Sequence, residues 1–256
     1  MAMRYTLGTD RTAALRLETL ASFFNPFSRR FIQQHITTPV KSSLDLGCGP
    51  GFTTAMVAEA TSCPTVYGLD RSPQFLKVAA ARFKQCRFIK HDVSQTPFPV
   101  RTDLIYARFL LTHLKNQTEL VNHWVRQLNH NGMLLVEETD AIDTGIAVFK
   151  KYVRVTEGMI AAQGGFLYAG RLLADARYQA EVVHNQPVAI PVPNCICAAW
   201  YYPNTVSVWK RDAYIRERVP EKERKAIAQE IREIQASGDR RKGITWTLRR
   251  VVLRRV

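Results

Sequence analysis

The run Leu44-Asp45-Leu46-Gly47-Cys48-Gly49-Pro50-Gly51-Phe52 sets three glycines at alternate positions between a short apolar segment and a helical one. Glycine at such a turn lets backbone N–H groups come close to a bound ligand, above all where a strand feeds the start of a helix. The spacing is G-x-G-x-G with Asp45 two residues ahead, not the G-x-G-x-x-G of a nicotinamide site, and no Gly-Lys-Ser/Thr follows to make a phosphate loop. Two more carboxylates close later apolar segments: Asp70 in Gly68-Leu69-Asp70, 19 residues after Gly51, and Asp92 in Lys90-His91-Asp92-Val93. A carboxylate in the position of Asp70 can accept both hydroxyl protons of a ribose. Beyond a fourth apolar segment come Arg108 and, in Leu111-Thr112-His113-Leu114, a histidine.

On these residues the chain resembles the class I S-adenosylmethionine-dependent methyltransferases, in particular small-molecule members with an amino-terminal lid. The resemblance covers about residues 40–140 firmly and the rest loosely. It implies that the turn of Asp45, Gly47, Cys48, Gly49 and Gly51 holds the methionine part of S-adenosyl-L-methionine, which leaves as S-adenosyl-L-homocysteine. It implies further that Asp70, with Arg71 beside it, takes the ribose and that Asp92 and the Val93 amide take the adenine. Arg108 either contacts the cofactor carboxylate or an acidic acceptor, or forms a structural ion pair. His113 is the first candidate for a base toward a carbon or oxygen acceptor, and equally a residue that caps or packs a helix. His91 reads as a surface or cofactor-flanking residue.

The acceptor class follows from what stands after the fourth strand. The Asn/Asp-Pro-Pro-Tyr/Phe motif of amino-methylating nucleic-acid and glutamine enzymes is replaced by Tyr106-Ala107-Arg108-Phe109, and no Pro-Cys pair is present. In this family the stretch after the fifth strand, residues 141–180, commonly builds the acceptor pocket. Here it carries Phe149, Tyr152, Met159, Phe166 and Tyr168. Phe166 and Tyr168, together with Tyr5 of the front segment, are the expected substrate contacts, and a small, partly hydrophobic metabolite is the expected acceptor. Tyr5 and Leu7 either close over the site or belong to a loose terminus. Trp200, Tyr201 and Tyr202 either line an aromatic pocket or form an aromatic core. Cys195-x-Cys197 lacks a second ligand cluster, so no metal is expected.

Short apolar runs alternating with helical stretches from residue 43 onward predict a parallel sheet flanked by helices. The strands are expected at residues 43–46, 65–69, 86–90, 103–106 and 132–137, and the helices at 53–60, 73–83 and 119–128. Right-handed crossovers then give a doubly wound, Rossmann-like sheet with helices on both faces. Ahead of it, residues 11–24 form a helix that stops before Asn25-Pro26, with a second short helix over 29–34. Behind it lie a helix at 147–162, a strand at 181–192, an ambiguous stretch at 194–202, a charged helix at 220–235 and a strand at 244–256. The late strands are expected as an antiparallel edge of the same sheet. The chain thus reads as one methyltransferase domain over 1–256: a helical lid (1–40), a cofactor core (41–140), an acceptor-pocket insertion (141–180), and closing strands and helix (181–256).

Composition sets the outer limits. The 256 residues are 46% hydrophobic, which excludes disordered and fibrous classes. Five irregularly spaced cysteines suggest reduced thiols, hence a cytoplasmic protein, and neither a signal peptide nor a membrane span is expected. The net charge of +14 is unequally shared, with 16 basic against 11 acidic residues up to residue 140 and 20 against 11 beyond it. A basic carboxyl end keeps an RNA or protein methyltransferase as a rival reading. A second rival is a protein that binds the cofactor without transferring methyl. Oligomeric state is not legible.

Overall fold

The computed structural model describes residues 7, 8 and 10–256, so Tyr5 lies outside the described residues. A long helix α1 (Arg11–His35) precedes β1 (Ser42–Leu46), α2 (Phe52–Thr61), β2 (Thr65–Asp70), α3 (Pro73–Arg82), β3 (Arg87–Lys90) and β4 (Thr102–Arg108). A 3-10 turn, Leu111–His113, leads to α4 (Gln117–Val125) and β5 (Leu128–Thr144). Helices α5 (Ala147–Ala162) and α6 (Ala169–Ala174) then precede β6 (Glu181–Val192). A helical stretch of α7 (Asn194–Val206), α8 (Val208–Arg211), α9 (Ala213–Arg218) and α10 (Glu221–Ser237) returns the chain to β7 (Ile244–Arg254).

The seven strands form one sheet in the order β3-β2-β1-β4-β5-β7-β6. The first five run parallel; β7 pairs antiparallel with both β5 and β6. Strand order reverses between β1 and β4, and ligands of such sheets bind beyond the carboxyl ends of the strands at that switch. The last strand in sequence inserts between β5 and β6, which leaves β6 at the edge, where its Pro187 and Pro191 cost least.

Two of the helices differ from expectation. Pro26 does not split the front segment; α1 runs through it for 25 residues. An interior proline costs about 3 kcal/mol in an isolated helix, but here α1 buries Phe24, Ser28, Phe31 and Ile32 on the same side. It is also fastened by polar contacts: Arg250 donates to the Phe27 carbonyl at 3.1 Å and stacks over Phe31. The other is the ambiguous stretch, which is the helix α7 and carries Cys195 and Cys197.

Strand β5 is longer than its sequence signal. Residues up to Glu137 pair with β4, whereas Thr139 to Thr144 pair with β7 alone, past a register shift between Thr139 and Ala141. This antiparallel ribbon overhangs the ends of the parallel strands and carries Thr139, Ile142 and Trp246 toward the site. At its root Glu137, fully buried, accepts from Tyr106 Oη at 2.6 Å and from Arg250 Nε at 2.8 Å, joining β4, β5 and β7.

Candidate active site

A cavity of about 560 Å³ lies across the carboxyl ends of β1, β2, β3 and β4, roofed by α1 and walled on the far side by α5, α7 and the β5–β7 ribbon. The glycine turn forms its floor. Gly47, Gly49 and Gly51 all have positive φ, which an L-residue adopts only with strain, yet the three do different things. A Cβ on Gly49 would meet nothing nearer than Leu17 at 3.7 Å, so this position opens into the cavity. A Cβ on Gly47 would stand 2.6 Å from Leu110. A Cβ on Gly51 would stand 2.9 Å from both Ala79 and Phe83, so this glycine lets α2 pack against α3 and does not line the cavity.

Asp45 does not line it either. Its carboxyl is 1% exposed and accepts from Thr53 Oγ1 at 2.6 Å and Thr54 Oγ1 at 2.7 Å, so it braces the first turn of α2 against β1. Burial pushes its pKa up to about 6 against the pull of those two hydroxyls. Asp45 and Gly51, expected among the cofactor contacts, thus lie behind the cavity wall, where both hold the turn that Gly47, Cys48 and Gly49 present.

Asp70 at the end of β2 faces the cavity, with one oxygen accepting from Gly49 N at 2.9 Å and the other from Ser72 N at 2.7 Å. Burial raises its pKa, offset by those amides and by Arg71. Asp92 lies one strand away, where hydrogen bonds from Ser94 and the charge of Arg71 outweigh burial and hold its carboxyl below the usual range. Arg71 and Val93 line the space between, and the Val93 carbonyl is anchored by the Trp124 indole at 2.8 Å. The Cys48 thiol is pushed well up by burial and by the charges of Asp45 and Asp70, which keeps it protonated and inert.

Arg108 borders the cavity, but its partners are neutral: Ser28 Oγ at 2.8 Å and Asn25 Oδ1 at 2.9 Å. It therefore ties α1 to the end of β4 while still bordering the cavity. His113 lines the cavity as expected, though enclosure and the nearby charges of Arg16 and Arg71 depress its pKa to about 3. An imidazole that weakly basic stays neutral at pH 7, a hydrogen-bonding group and not an effective proton acceptor.

The loop that carries His113 is held from behind by Glu138, fully buried on β5, whose Oε1 accepts from Leu110 N at 2.6 Å and Leu111 N at 2.7 Å. Burial raises the Glu138 pKa from 4.5 to about 7. Because the folded value is the higher one, its contribution to stability is full below pH 4.5 and is lost as pH rises through 7. The span corresponds to about 3 kcal/mol. Glu138→Gln keeps an amide-accepting oxygen and removes the titration, so the melting temperature of the variant relative to wild type should climb by about 5–10 °C between pH 4.5 and 8. Parallel melting curves across that range would show that the carboxyl is not perturbed.

On the acceptor side the wall differs from the one expected. Phe166 and Tyr168 do not line the cavity; Leu167 between them does. From the stretch 141–180 the lining residues include Ile142, Tyr152, Val153, Thr156 and Ile160, while Phe149 and Met159 are buried in the core behind. Residues beyond 180 complete the wall: Trp200, Tyr201 and Asn204 of α7, and Trp246 of β7. Tyr152 stacks on Tyr201 with centroids 3.8 Å apart, and its hydroxyl accepts from Asn204 Nδ2 at 2.7 Å. The front helix adds Arg16, Leu17, Leu20 and Ala21, with Leu7 ahead of it. Arg16 belongs to no motif, and its only signal in the sequence is its recurrence with Ala13, Leu20 and Phe24 on the inward face of the helix.

Comparison with known proteins agrees with this anatomy. Residues 44–136 match the family described as Methyltransferase domain. Trans-aconitate 2-methyltransferase of Enterobacter sp. (strain 638) is 35% identical over 119 residues, 46% of this chain and 47% of that one. The chain thus spans about half the length of the curated relatives it matches. Two solved structures share the fold at 16% identity. Coclaurine N-methyltransferase bound to N-methylheliamine and SAH superposes with a TM-score of 0.59, covering 90% of this chain and 72% of that one. The [4+2]-cyclase SpnF does so at 0.53, covering 90% and 81%. Residues 44–136 thus carry a match to a methyltransferase domain, and the chain around them is similar in fold to S-adenosylmethionine-dependent methyltransferases.

Proposed function

We propose that this protein transfers a methyl group from S-adenosylmethionine to a small, partly hydrophobic acceptor. The observation that carries the reading is one continuous cavity joining two chemically different halves: a glycine floor with Asp70 and Asp92, and an aromatic chamber under α1. The first half fits an adenosyl group. Asp70, its carboxylate oriented by two backbone amides, can take ribose hydroxyls; Asp92 and Val93 flank the slot for the base; and the open Cβ position of Gly49 leaves room for the methionine portion. Bound there, the cofactor supplies a methyl carbon on a sulfonium, already electrophilic. What remains for the protein is alignment and exclusion of water. Helix α1 acts as the cover, with Leu17 and Leu20 roofing the junction, and α5 with α7 sets the acceptor's position. Incubation with labelled S-adenosylmethionine and a panel of small acceptors should give transfer; S-adenosylhomocysteine binding without transfer to any would leave a cofactor-binding protein. That second reading has its own support, since the same fold occurs in a protein named as a cyclase.

The basic carboxyl end gives little support to a nucleic-acid substrate. Arg249 pairs with Asp140, Arg250 with Glu137, Arg254 with Glu181 and Arg241 with Asp239, so these charges are spent within the chain. No helix among the described residues is long and apolar enough to cross a membrane.

A further inference from the structure

We propose that Glu138 and Thr112 are positioning residues for the acceptor chamber and work as a proton-operated latch. The neutral Glu138 carboxyl leaves the Thr112 hydroxyl to hold the Leu167 carbonyl, and the ionised carboxylate draws that hydroxyl away. Hydrogen-bond geometry carries the latch; that the wall it holds belongs to an acceptor rests on the function proposed above. Glu138 Oε1 already accepts from two amides, Leu110 N at 2.6 Å and Leu111 N at 2.7 Å, and its Oε2 meets Thr112 Oγ1 at 3.4 Å. The same Thr112 Oγ1 lies 3.2 Å from the Leu167 carbonyl oxygen. A hydroxyl has one proton to donate and lone pairs to accept with. When Glu138 is neutral, its proton sits on Oε2 and goes to Thr112 Oγ1, whose own proton goes to Leu167 O, and both contacts are made. An ionised carboxylate only accepts, so Oε2 and Leu167 O then compete for a single proton. The charge-assisted bond is the stronger, and the buried Leu167 carbonyl loses its hydroxyl donor.

These contacts reach the cavity. Leu167 lines it, as do Phe109, Leu110, Thr112 and His113 of the loop after β4. The two segments are shaped to meet at Thr112: Phe166 N donates to the Thr112 carbonyl at 3.0 Å, and a Cβ on Gly165 would stand 2.4 Å from the same oxygen, where a side chain would block the approach. At its other end the loop reaches the glycine turn, since a Cβ on Gly47 would stand 2.6 Å from Leu110. The buried Thr112 hydroxyl thus ties the acceptor wall to the loop that also borders the cofactor floor. Releasing Leu167 loosens that wall and leaves Asp70 and Asp92 in place at the ends of β2 and β3.

Burial raises the Glu138 pKa to about 7, so the latch is closed below that pH and opens above it. The charged groups on the surrounding elements have partners of their own. On β5, Glu137 binds Tyr106 and Arg250, and Asp140 pairs with Arg249 of β7. Arg108 at the end of β4 donates to Ser28 and Asn25, and Arg171 of α6 donates to the Asp140 carbonyl. His113, on the loop itself and under the charges of Arg16 and Arg71, is depressed to about 3, and burial raises the Tyr168 pKa above its ordinary value of 10. Neither titrates near neutrality, which leaves Glu138 as the group among these that does.

The test is amide hydrogen–deuterium exchange of residues 163–168, each variant first matched to wild type by circular dichroism. Glu138→Gln is the reference: its amide oxygen keeps the two backbone donors, its N–H donates to Thr112 as the neutral acid does, and it does not titrate. Comparison at equal pH also cancels the intrinsic pH dependence of exchange. At about pH 5.5 wild type and Glu138→Gln should exchange alike. At about pH 8.5 wild type should exchange about two- to tenfold faster, the worth of one hydrogen bond, with the midpoint of the rise near 7. Thr112→Ser should keep the rise, whereas in a Thr112→Val background Glu138→Gln should make no difference at either pH. The proposal is overturned if the ratio of wild type to Glu138→Gln stays flat across this range, a comparison that decides alone should Thr112→Val not fold, or if the rise persists in the Thr112→Val background. Binding of S-adenosylhomocysteine is measured on the same samples. Its absence, with the rise present, would defeat the cofactor reading and leave the latch standing.

Discussion

Replacing Asp70 by alanine should weaken S-adenosylhomocysteine binding by about ten- to a hundredfold, the loss of charge-assisted hydrogen bonds worth about 1.5–3 kcal/mol. The carboxylate does two jobs at once. Its remaining lone pairs are open to a ribose under the proposed function, and by accepting from Gly49 N and Ser72 N it ties the glycine turn to the end of β2. Alanine removes both, whereas Asp70→Asn keeps one accepting oxygen and should lose less affinity. Isothermal calorimetry on the two variants separates the roles. Equal, small losses would mean that the ribose is held elsewhere.

Gly51→Ala is expected to act on the fold instead of on the ligand. At φ +88° the new Cβ carries about 1–2 kcal/mol of backbone strain. It also presses within 2.9 Å of Ala79 and Phe83 and 3.0 Å of Phe88, an overpacking that costs about 1–3 kcal/mol. Together they should lower the melting temperature by about 5–15 °C. Gly49→Ala, whose Cβ meets only Leu17 and Phe75 at 3.7 and 4.0 Å, should melt much closer to wild type while narrowing the floor of the cavity. If Gly51→Ala melts with the wild-type protein, the division of labour within the turn is wrong.

The cofactor half was legible because its residues are tied to strand ends. Once an apolar run ends in a glycine turn or an aspartate, the parallel topology itself brings Gly49, Asp70 and Asp92 together, and the structure places them so. Asp45 and Gly51 belong to the same motif yet support it from beneath, a distinction that depends on which way each points and not on spacing. The acceptor half was less legible, since tertiary burial decides it. Residues 194–202 are rich in types that favour strands, such as Ile196, Trp200 and Tyr201, and fold as a helix because Cys197, Ala198, Trp200 and Tyr201 can then bury together. Phe166 and Tyr168 flank the residue that reaches the cavity. Residues 139–144 carry two aspartates and two threonines, no usual strand signal, and extend β5 only because β7 lies alongside.

Glu138 shows the same dependence on context. Its sequence neighbourhood, Val136-Glu137-Glu138-Thr139, reads as two acids at the end of a strand, yet both are fully buried with different work. Glu137 binds Tyr106 and Arg250 below the sheet's end, and Glu138 fixes the loop from which His113 faces the cavity.

The most direct test of the account is a calorimetric titration of the purified protein with S-adenosylhomocysteine, with NAD as the control ligand. Micromolar affinity for S-adenosylhomocysteine alone is the predicted result; binding of NAD in its place would contradict the assignment of the glycine turn, Asp70 and Asp92 to an adenosyl methyl donor.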